Sequence, residues 1–234
     1  MKLTMSKNKI PVHLVLIPDG NRRWALSKGL AKIDGYKTVD YEHLESLLLE
    51  AKKLGVKYVS LWIFSTDNWK RPKSEINFLF NHFLNNLDAL LTGANKYKVR
   101  VRHIGRKDRL PLLLRKKLEE LEKKTEKYDE FNVQLCLDYG GRDEIIRAVN
   151  KLIKSKKKNI SEAGFNDFLD TKGLPDVDFI IRTSGEHRTS GLMPFQSAYA
   201  ELYFADCHFP DFDGKELKKA IIEYTRRQRR FGGS

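Results

Sequence analysis

Val12-His13-Leu14-Val15-Leu16-Ile17-Pro18-Asp19-Gly20-Asn21-Arg22-Arg23-Trp24 is the stretch on which the fold turns. Its first half is a short apolar run rich in β-branched residues, which reads as a strand. Pro18-Asp19-Gly20 breaks that run, and the polar residues behind it enter a helix. Runs of the same kind recur at residues 58–64, 99–104, 132–138, 178–183 and 201–204. Between them the apolar spacing is helical: Leu44, Leu47, Leu48, Ala51 and Leu54 follow the first strand, and Ile76, Leu79, Phe80, Phe83, Leu87, Leu90 and Leu91 follow the second. Further helices are expected over residues 112–126, 143–157, 161–170 and 215–229. Strands alternating with helices predict an α/β fold, a mostly parallel central sheet flanked by helices.

The chain has 234 residues, 41% of them apolar, and neither a repeat nor a long linker divides it. That supports one large domain over residues 11–234 behind a short N-terminal tail of residues 1–10. Lysine and arginine total 44 against 31 acidic residues, a formal charge of +13, which implies an anionic partner: phosphate, nucleic acid or an acidic membrane face. The only cysteines, Cys136 and Cys207, form no CxxC pair, which suits a reducing cytosol. No apolar run approaches the roughly 18 residues a membrane span needs, and the start has no signal-peptide core. Collagen-like, disordered, disulfide-rich and transmembrane classes are thereby excluded, and a cytoplasmic location is expected.

Four polar segments, each carrying glycine or arginine, follow strands, where an open parallel sheet places its ligand crevice. After the first strand, Gly20 allows close approach of the backbone and the helix start offers free N–H groups. Arg22 and Arg23 add forked donors for phosphate, and Asp19 can hold Mg²⁺ against a diphosphate. Alone, this is also what an ordinary Asp-Gly turn with surface arginines looks like, and it matches neither the Walker nor the dinucleotide glycine spacing. The second strand ends in Ser65-Thr66-Asp67-Asn68-Trp69-Lys70-Arg71-Pro72, the fourth in Asp138-Tyr139-Gly140-Gly141-Arg142, and the fifth in Arg182-Thr183-Ser184-Gly185-Glu186-His187-Arg188-Thr189-Ser190. So many arginines at one sheet edge favour a phosphate crevice. Only His187 among the histidines sits in such a segment; His13, His43, His82, His103 and His208 read as structural. There is no HExxH spacing, no GxSxG elbow and no Cys/His pairing. The helix over 76–91 also carries Phe78 and Leu84, a face broad enough for the core, a partner or a long apolar ligand. Of the basic runs, 154–158 reads as a solvated loop, while 226–230 could touch phosphate or lipid.

Together these segments resemble the cis-prenyltransferases, the undecaprenyl diphosphate synthase family. The resemblance rests on Asp19-Gly20-Asn21-Arg22-Arg23-Trp24, Phe64 through Pro72, Tyr139-Gly140-Gly141-Arg142, Arg182 through Arg188, Tyr199-Ala200-Glu201-Leu202-Tyr203-Phe204 and the closing Arg230-Phe231-Gly232. It implies a Mg²⁺-dependent transferase of isoprenoid biosynthesis that joins isopentenyl diphosphate to an allylic prenyl diphosphate with cis double bonds. It further implies a homodimer with an elongated hydrophobic tunnel, working in the cytoplasm with peripheral contact at the membrane. On the resemblance, Asp19 binds Mg²⁺ and assists diphosphate departure, and Asn68 helps proton removal. Gly20, Asn21, Arg22, Arg23 and Trp24, with Lys32 and Tyr36, bind the allylic diphosphate. Ser65, Thr66, Asp67, Trp69 and Arg71 place the substrates, while Arg182, Arg188, Thr189 and Ser190 hold isopentenyl diphosphate. His187 and Glu201 complete the metal environment near the dimer interface, and Arg230 and Gly232 reach the partner's site.

The chain departs from the family at several of these positions. Lys32 and Tyr36 stand where the family has arginine and histidine, and lysine lacks the guanidinium fork. Gly191-Leu192-Met193-Pro194-Phe195-Gln196 replaces an apolar stretch with tryptophan, Asp138 replaces an asparagine, and Ile63 is bulkier than the usual small residue. A short-chain or non-head-to-tail synthase and a non-catalytic partner subunit are the rival readings on the same fold. Nucleic-acid binding rests on charge alone, with no RNP, KH or zinc-finger module, and is not expected.

Overall fold

The computed structural model describes residues 10–157, 159–230 and 233. The expected tail before Ile10, and Gly232, lie outside the described residues. Six strands, β1 (His13–Ile17), β2 (Tyr58–Ser65), β3 (Val99–Ile104), β4 (Phe131–Tyr139), β5 (Phe179–Arg182) and β6 (Glu201–Phe204), form one sheet in the order β3-β4-β2-β1-β5-β6. Every pairing is parallel, so all six strands end on the same edge. The chain runs from β1 to β2 on one side and later returns to β5 on the other, which puts the end of β1 at the switch point of the sheet.

Burial follows from position. All five residues of β1 and all nine of β4 are buried, whereas the edge strand β3 buries Val99 and Val101 and leaves Arg100 and Arg102 partly exposed. His13 sits in the core without a charge to neutralise. Its ring bonds Ser60 Oγ at 2.8 Å and the Pro175 carbonyl at 2.9 Å, and burial lowers its pKa.

The helices are α1 (Asn21–Ser27), α2 (Asp34–Lys37), α3 (Tyr41–Leu54), α4 (Lys73–Tyr97), α5 (Leu112–Thr125), α6 (Gly141–Lys154), α7 (Glu162–Phe165) and α8 (Gly214–Arg226). Asp40 caps α3 by accepting from the His43 N–H, and Gly55, at φ 99°, ends it. Leu47, Leu48 and Ala51 of α3, Ile76, Phe80 and Leu87 of α4, and Leu114, Leu118 and Leu121 of α5 pack in one core with strands β1, β2, β3 and β4. A smaller core on other strand residues joins Val15, Ile17, Cys136 and Tyr139 to Leu192 and Met193.

Two helix expectations need correction. Residues 161–170 form only the single turn α7 and a 3₁₀ turn, Asn166–Phe168, because so short a segment holding Gly164 does not repay helix nucleation. The last helix stops at Arg226 rather than 229. Arg227 turns extended, and its guanidinium binds Glu201 at 3.0 Å and the Leu202 carbonyl at 2.8 Å.

Candidate active site

Asp19 leaves the end of β1 and meets the end of β5. Its Oδ2 accepts from Arg182 Nη2 at 2.7 Å, and its Oδ1 accepts from the Gly20 N–H at 2.7 Å and Arg23 Nη2 at 3.2 Å. Burial alone would raise its pKa, but the hydrogen bond and charge of Arg182, the Gly20 N–H and Arg23 outweigh that and hold the carboxyl below its ordinary value. Gly20 has φ 96°, and a Cβ there would lie 2.4 Å from Ser184 Oγ and 2.6 Å from His208 Nδ1. No other residue fits this turn without displacing them. Helix α1 has seven residues and no side-chain cap, so the cationic character here comes from side chains more than from a helix dipole.

Arg182 is 5% exposed and does more than pair Asp19. Its Nη1 donates to the Arg188 carbonyl at 2.6 Å and to Ser190 Oγ at 2.7 Å, which shapes the loop after β5. Its Nε and the Oδ1 of Asn21 are buried with no partner among the described residues, so both are available to a ligand. Arg23 also binds Glu186 at 2.6 Å, and Glu186 pairs with Arg188 as well.

After β2, residues Thr66–Lys70 make a 3₁₀ turn capped by Ser65 and Asn68. Asn68 Oδ1 accepts from the Ser65 N–H at 3.0 Å, and Ser65 Oγ accepts from the Asn68 N–H at 3.2 Å. With that oxygen engaged, the side-chain amide N–H₂ is the group left to meet a substrate. Arg71 Nη1 donates to Tyr36 Oη at 3.0 Å and pairs with Glu75 at 3.2 Å, while Arg22 approaches Glu75 at 3.6 Å. Tyr36, at the position where the resembled family has histidine, therefore has a defined partner.

These groups surround the mouth of a cavity of about 640 Å³. Arg22, Arg23, Lys32, Arg71 and Arg182 are its basic side chains and Asp19 its only carboxylate among the lining residues. Farther in, the wall becomes apolar: Val39, Leu44, Leu61, Ile63, Leu79, Phe80 and Phe83, from α3, β2 and α4 and the turn before α3. A second pocket of about 50 Å³ shares Val39, Leu44, Leu61, His82 and Phe83 with the first and continues among Leu48, Leu87 and Leu90. The two pockets together supply an apolar lining of the kind the resemblance implies for a tunnel, and the broad face of α4 serves both the core and this wall.

The structure does not bring every expected residue to the cavity. Trp24 donates its Nε1 to Asp211 at 2.8 Å, Thr66 abuts Gly140, and Asp67 pairs with Lys70 on the surface. Trp69 is turned into the core, edge-on to Phe64 and Phe80. Arg188 and Thr189 lie in the loop that Arg182 braces, outside the lining. His187 stacks on Phe204 with ring centres 4.7 Å apart, whereas Glu201 begins β6, at the opposite end of the sheet from Asp19. Within one chain Glu201 is therefore not gathered with Asp19, and His187 and the exposed Arg230 are outside the lining. Glu75, which bridges Arg71 and Arg22, and Glu186, which bridges Arg23 and Arg188, were missed by the sequence reading. Glu75 was detectable as the i+4 partner of Arg71 at a helix start.

Asp19 and the orphaned Asn21 oxygen are hard oxygen donors of the kind Mg²⁺ prefers. No cluster of three or more His, Cys, Asp or Glu suited to a metal occurs among the described residues. An ion held here would complete its shell from diphosphate oxygens and water.

Residues 17–232 match the Prenyltransf family model, described as undecaprenyl diphosphate synthase. The chain belongs to this family. An isoprenyl transferase of Thermotoga maritima is 42% identical over 229 residues, 96% of this chain and 98% of its own. A tritrans,polycis-undecaprenyl-diphosphate synthase (geranylgeranyl-diphosphate specific) of Picrophilus torridus is 41% identical over 236 residues, 97% of this chain and 92% of its own. The crystal structure of lavandulyl diphosphate synthase from Lavandula x intermedia, in complex with dimethylallyl diphosphate, superposes with a TM-score of 0.92 at 30% identity, covering 96% of this chain and 99% of that one. The chain is a prenyl transferase enzyme, as these relatives are, related to synthases of polyprenyl diphosphates. No helix among the described residues is long and apolar enough to cross a membrane.

Proposed function

We propose that the chain condenses isopentenyl diphosphate with an allylic prenyl diphosphate, in a Mg²⁺-dependent reaction, to extend a cis-polyprenyl diphosphate. The observation that carries this reading is the continuity of a cationic mouth with an apolar tunnel at the carboxyl edge of the sheet. In the reaction the allylic C–O bond breaks with its electron pair leaving on diphosphate, a C–C bond forms to the isopentenyl double bond, and a proton is lost. Charge on the leaving diphosphate grows as the bond breaks, so cations that grip it favour the transition state over the bound substrate.

Arg22, Arg23, Lys32 and Arg71 supply that grip at the allylic subsite, and Arg182 with Ser190 at the isopentenyl subsite. When bound by Asp19, Mg²⁺ supplies Lewis-acid stabilisation of diphosphate oxygens. Asp19, now paired with Arg182 and Arg23, would hold the ion, and those two guanidiniums would then be left to face phosphate. Asn68, with its oxygen tied to Ser65, orients a substrate as a donor; an amide is too weak a base to take the proton itself. The apolar wall keeps water from the reacting carbon.

The exposed stripe of Ile146, Val149 and Ile153 on α6, at 62%, 37% and 68% exposure, supports a homodimer. His187 and Glu201 would contribute to the metal environment across or near the dimer interface, wherever a second copy brings β6 against the mouth. Leu26 and Leu30, beside Lys28 and Lys32 at the cavity mouth, support peripheral contact with an acidic membrane face from the cytoplasm. Incubation with Mg²⁺, labelled isopentenyl diphosphate and a panel of allylic diphosphates tests the reading; loss of elongation with EDTA and with Asp19→Ala is expected. No product from any starter would overturn it.

A second reading, a short-chain or non-head-to-tail synthase, is favoured by Ile63, which lines the tunnel, and by the fit to lavandulyl diphosphate synthase. Lengthened products after Ile63→Ala would support steric control at that wall, and unchanged length would sink it.

A further inference from the structure

We infer that Asp138, Arg109 and Trp69 form a latch, built on the buried Asp138 carboxylate, that positions the Ser65–Asn68 turn for prenyl transfer. The inference rests on the proposed reaction for its catalytic part and on geometry alone for its structural part. Asp138 is the penultimate residue of β4, fully buried, in a left-handed conformation with φ 52°. Its carboxylate has no water-facing side and must be neutralised within the protein. Arg109 Nε donates to Oδ2 at 2.8 Å and Arg109 Nη2 donates to Oδ1, a two-point fork. Trp69 Nε1 donates to the same Oδ1 at 2.8 Å. The Arg109 guanidinium also lies over the Trp69 ring, 5.4 Å from its centre. Thus one carboxylate ties the loop after β3 to the turn after β2.

Trp69 directly follows Asn68, and its ring is clamped edge-on by Phe64 and Phe80 at 5.4 and 5.5 Å. Fixing the indole on both its N–H and its faces fixes the 3₁₀ turn that holds Ser65 and Asn68 at the cavity. None of the three latch residues lines that cavity, so they act through their neighbours and are positioning residues. The carboxylate is required as long as Arg109 faces it. An amide at 138 could still accept from Trp69, but its N–H₂ would face an Arg109 donor, and the fork would open.

Trp69→Phe keeps the ring packing and removes only the hydrogen bond, whereas Arg109→Met leaves the buried carboxylate unpaired. Turnover and amide hydrogen exchange of residues 65–71 would be measured on both, beside the wild type. We expect Trp69→Phe to exchange faster at Asn68 and Arg71 and to lower kcat by about tenfold, with KM for the allylic diphosphate within roughly twofold. Arg109→Met should lose more, and Asp138→Asn in that background should restore kcat to within roughly threefold of wild type, because the unpaired charge is gone. Unchanged exchange at 65–71 in Trp69→Phe overturns the latch. Faster exchange with unchanged kcat overturns its catalytic role. Should the wild type itself turn over no substrate, the proposed reaction fails, while exchange still decides the latch.

Discussion

Asp19 and Asp138 occupy equivalent places, near the ends of parallel strands β1 and β4, and each is held by a guanidinium and a second donor. The difference between them is water. The Asp19 side chain is 29% exposed at the cavity mouth, whereas that of Asp138 is 0% exposed. The Asp19 carboxylate can exchange a partner for a cation at lower cost, because solvent reaches it even though the Arg182 side chain it binds is only 6% exposed. The Asp138 carboxylate cannot be left alone, since removing Arg109, whose side chain is itself 36% exposed, strands a fully buried charge. The same chemistry thus makes a reactive group at one depth and a strut at the other.

The contrast is sharpest in activity. Asp19→Ala is expected to lower prenyl transfer by about 10²–10³-fold, the usual scale for losing a group that stabilises transition-state charge. Product formation at saturating substrate checks this, and retention within about tenfold would remove Asp19 from the mechanism. In stability the order reverses. Arg109→Met, which strands the fully buried Asp138 carboxylate, should cost about 3 kcal/mol in urea unfolding, against about 1 kcal/mol or less for Arg23→Met, which leaves Asp19 with Arg182 and with solvent. Equal losses would break the comparison.

Next in size is Gly20→Ala. Its φ of 96° and the 2.4 Å approach to Ser184 Oγ predict a loss of about 1–3 kcal/mol together with reduced activity, readable by thermal unfolding and initial rates. The smallest effect concerns pH. Because the folded-state pKa of Asp19 lies below its ordinary 3.8, the Arg182–Asp19 pair contributes fully above that value and fails only as pH falls through the lower, folded one. The acid limb of kcat/KM assigned to Asp19 should therefore fall below the ordinary carboxylate range; a limb near neutral pH would assign it to another group.

Much of the fold is legible in local pattern. Each strand appears within a residue or two of its apolar run, because a parallel sheet covered by helices demands contiguous apolar residues. The misjudged helix at 161–170 failed for a local reason too, a periodicity too short to repay nucleation. In the site, Asp19, Gly20, Arg22, Arg23, Asn68, Arg71, Arg182 and Ser190 converge on the mouth as their positions after strands suggested. Trp24, Thr66 and Trp69 share those segments yet face away. In a tight turn the side-chain direction alternates within one or two residues, and adjacency in sequence carries no information on which side faces the cavity.

By itself the sequence determined the strand-and-helix order, the sheet edge that gathers the polar segments and the cationic character of that edge. These depend on apolar spacing and on the types of neighbouring residues, which are local quantities. Only the tertiary structure decided that Asp138 is buried while Asp19 is open and that Glu75 bridges Arg22 and Arg71. It alone joined α3, α4 and β2 into a tunnel and left Glu201 at the far end of the sheet from Asp19. Depth and distance between residues remote in sequence are set by packing, and the cost or usefulness of a charge depends on depth.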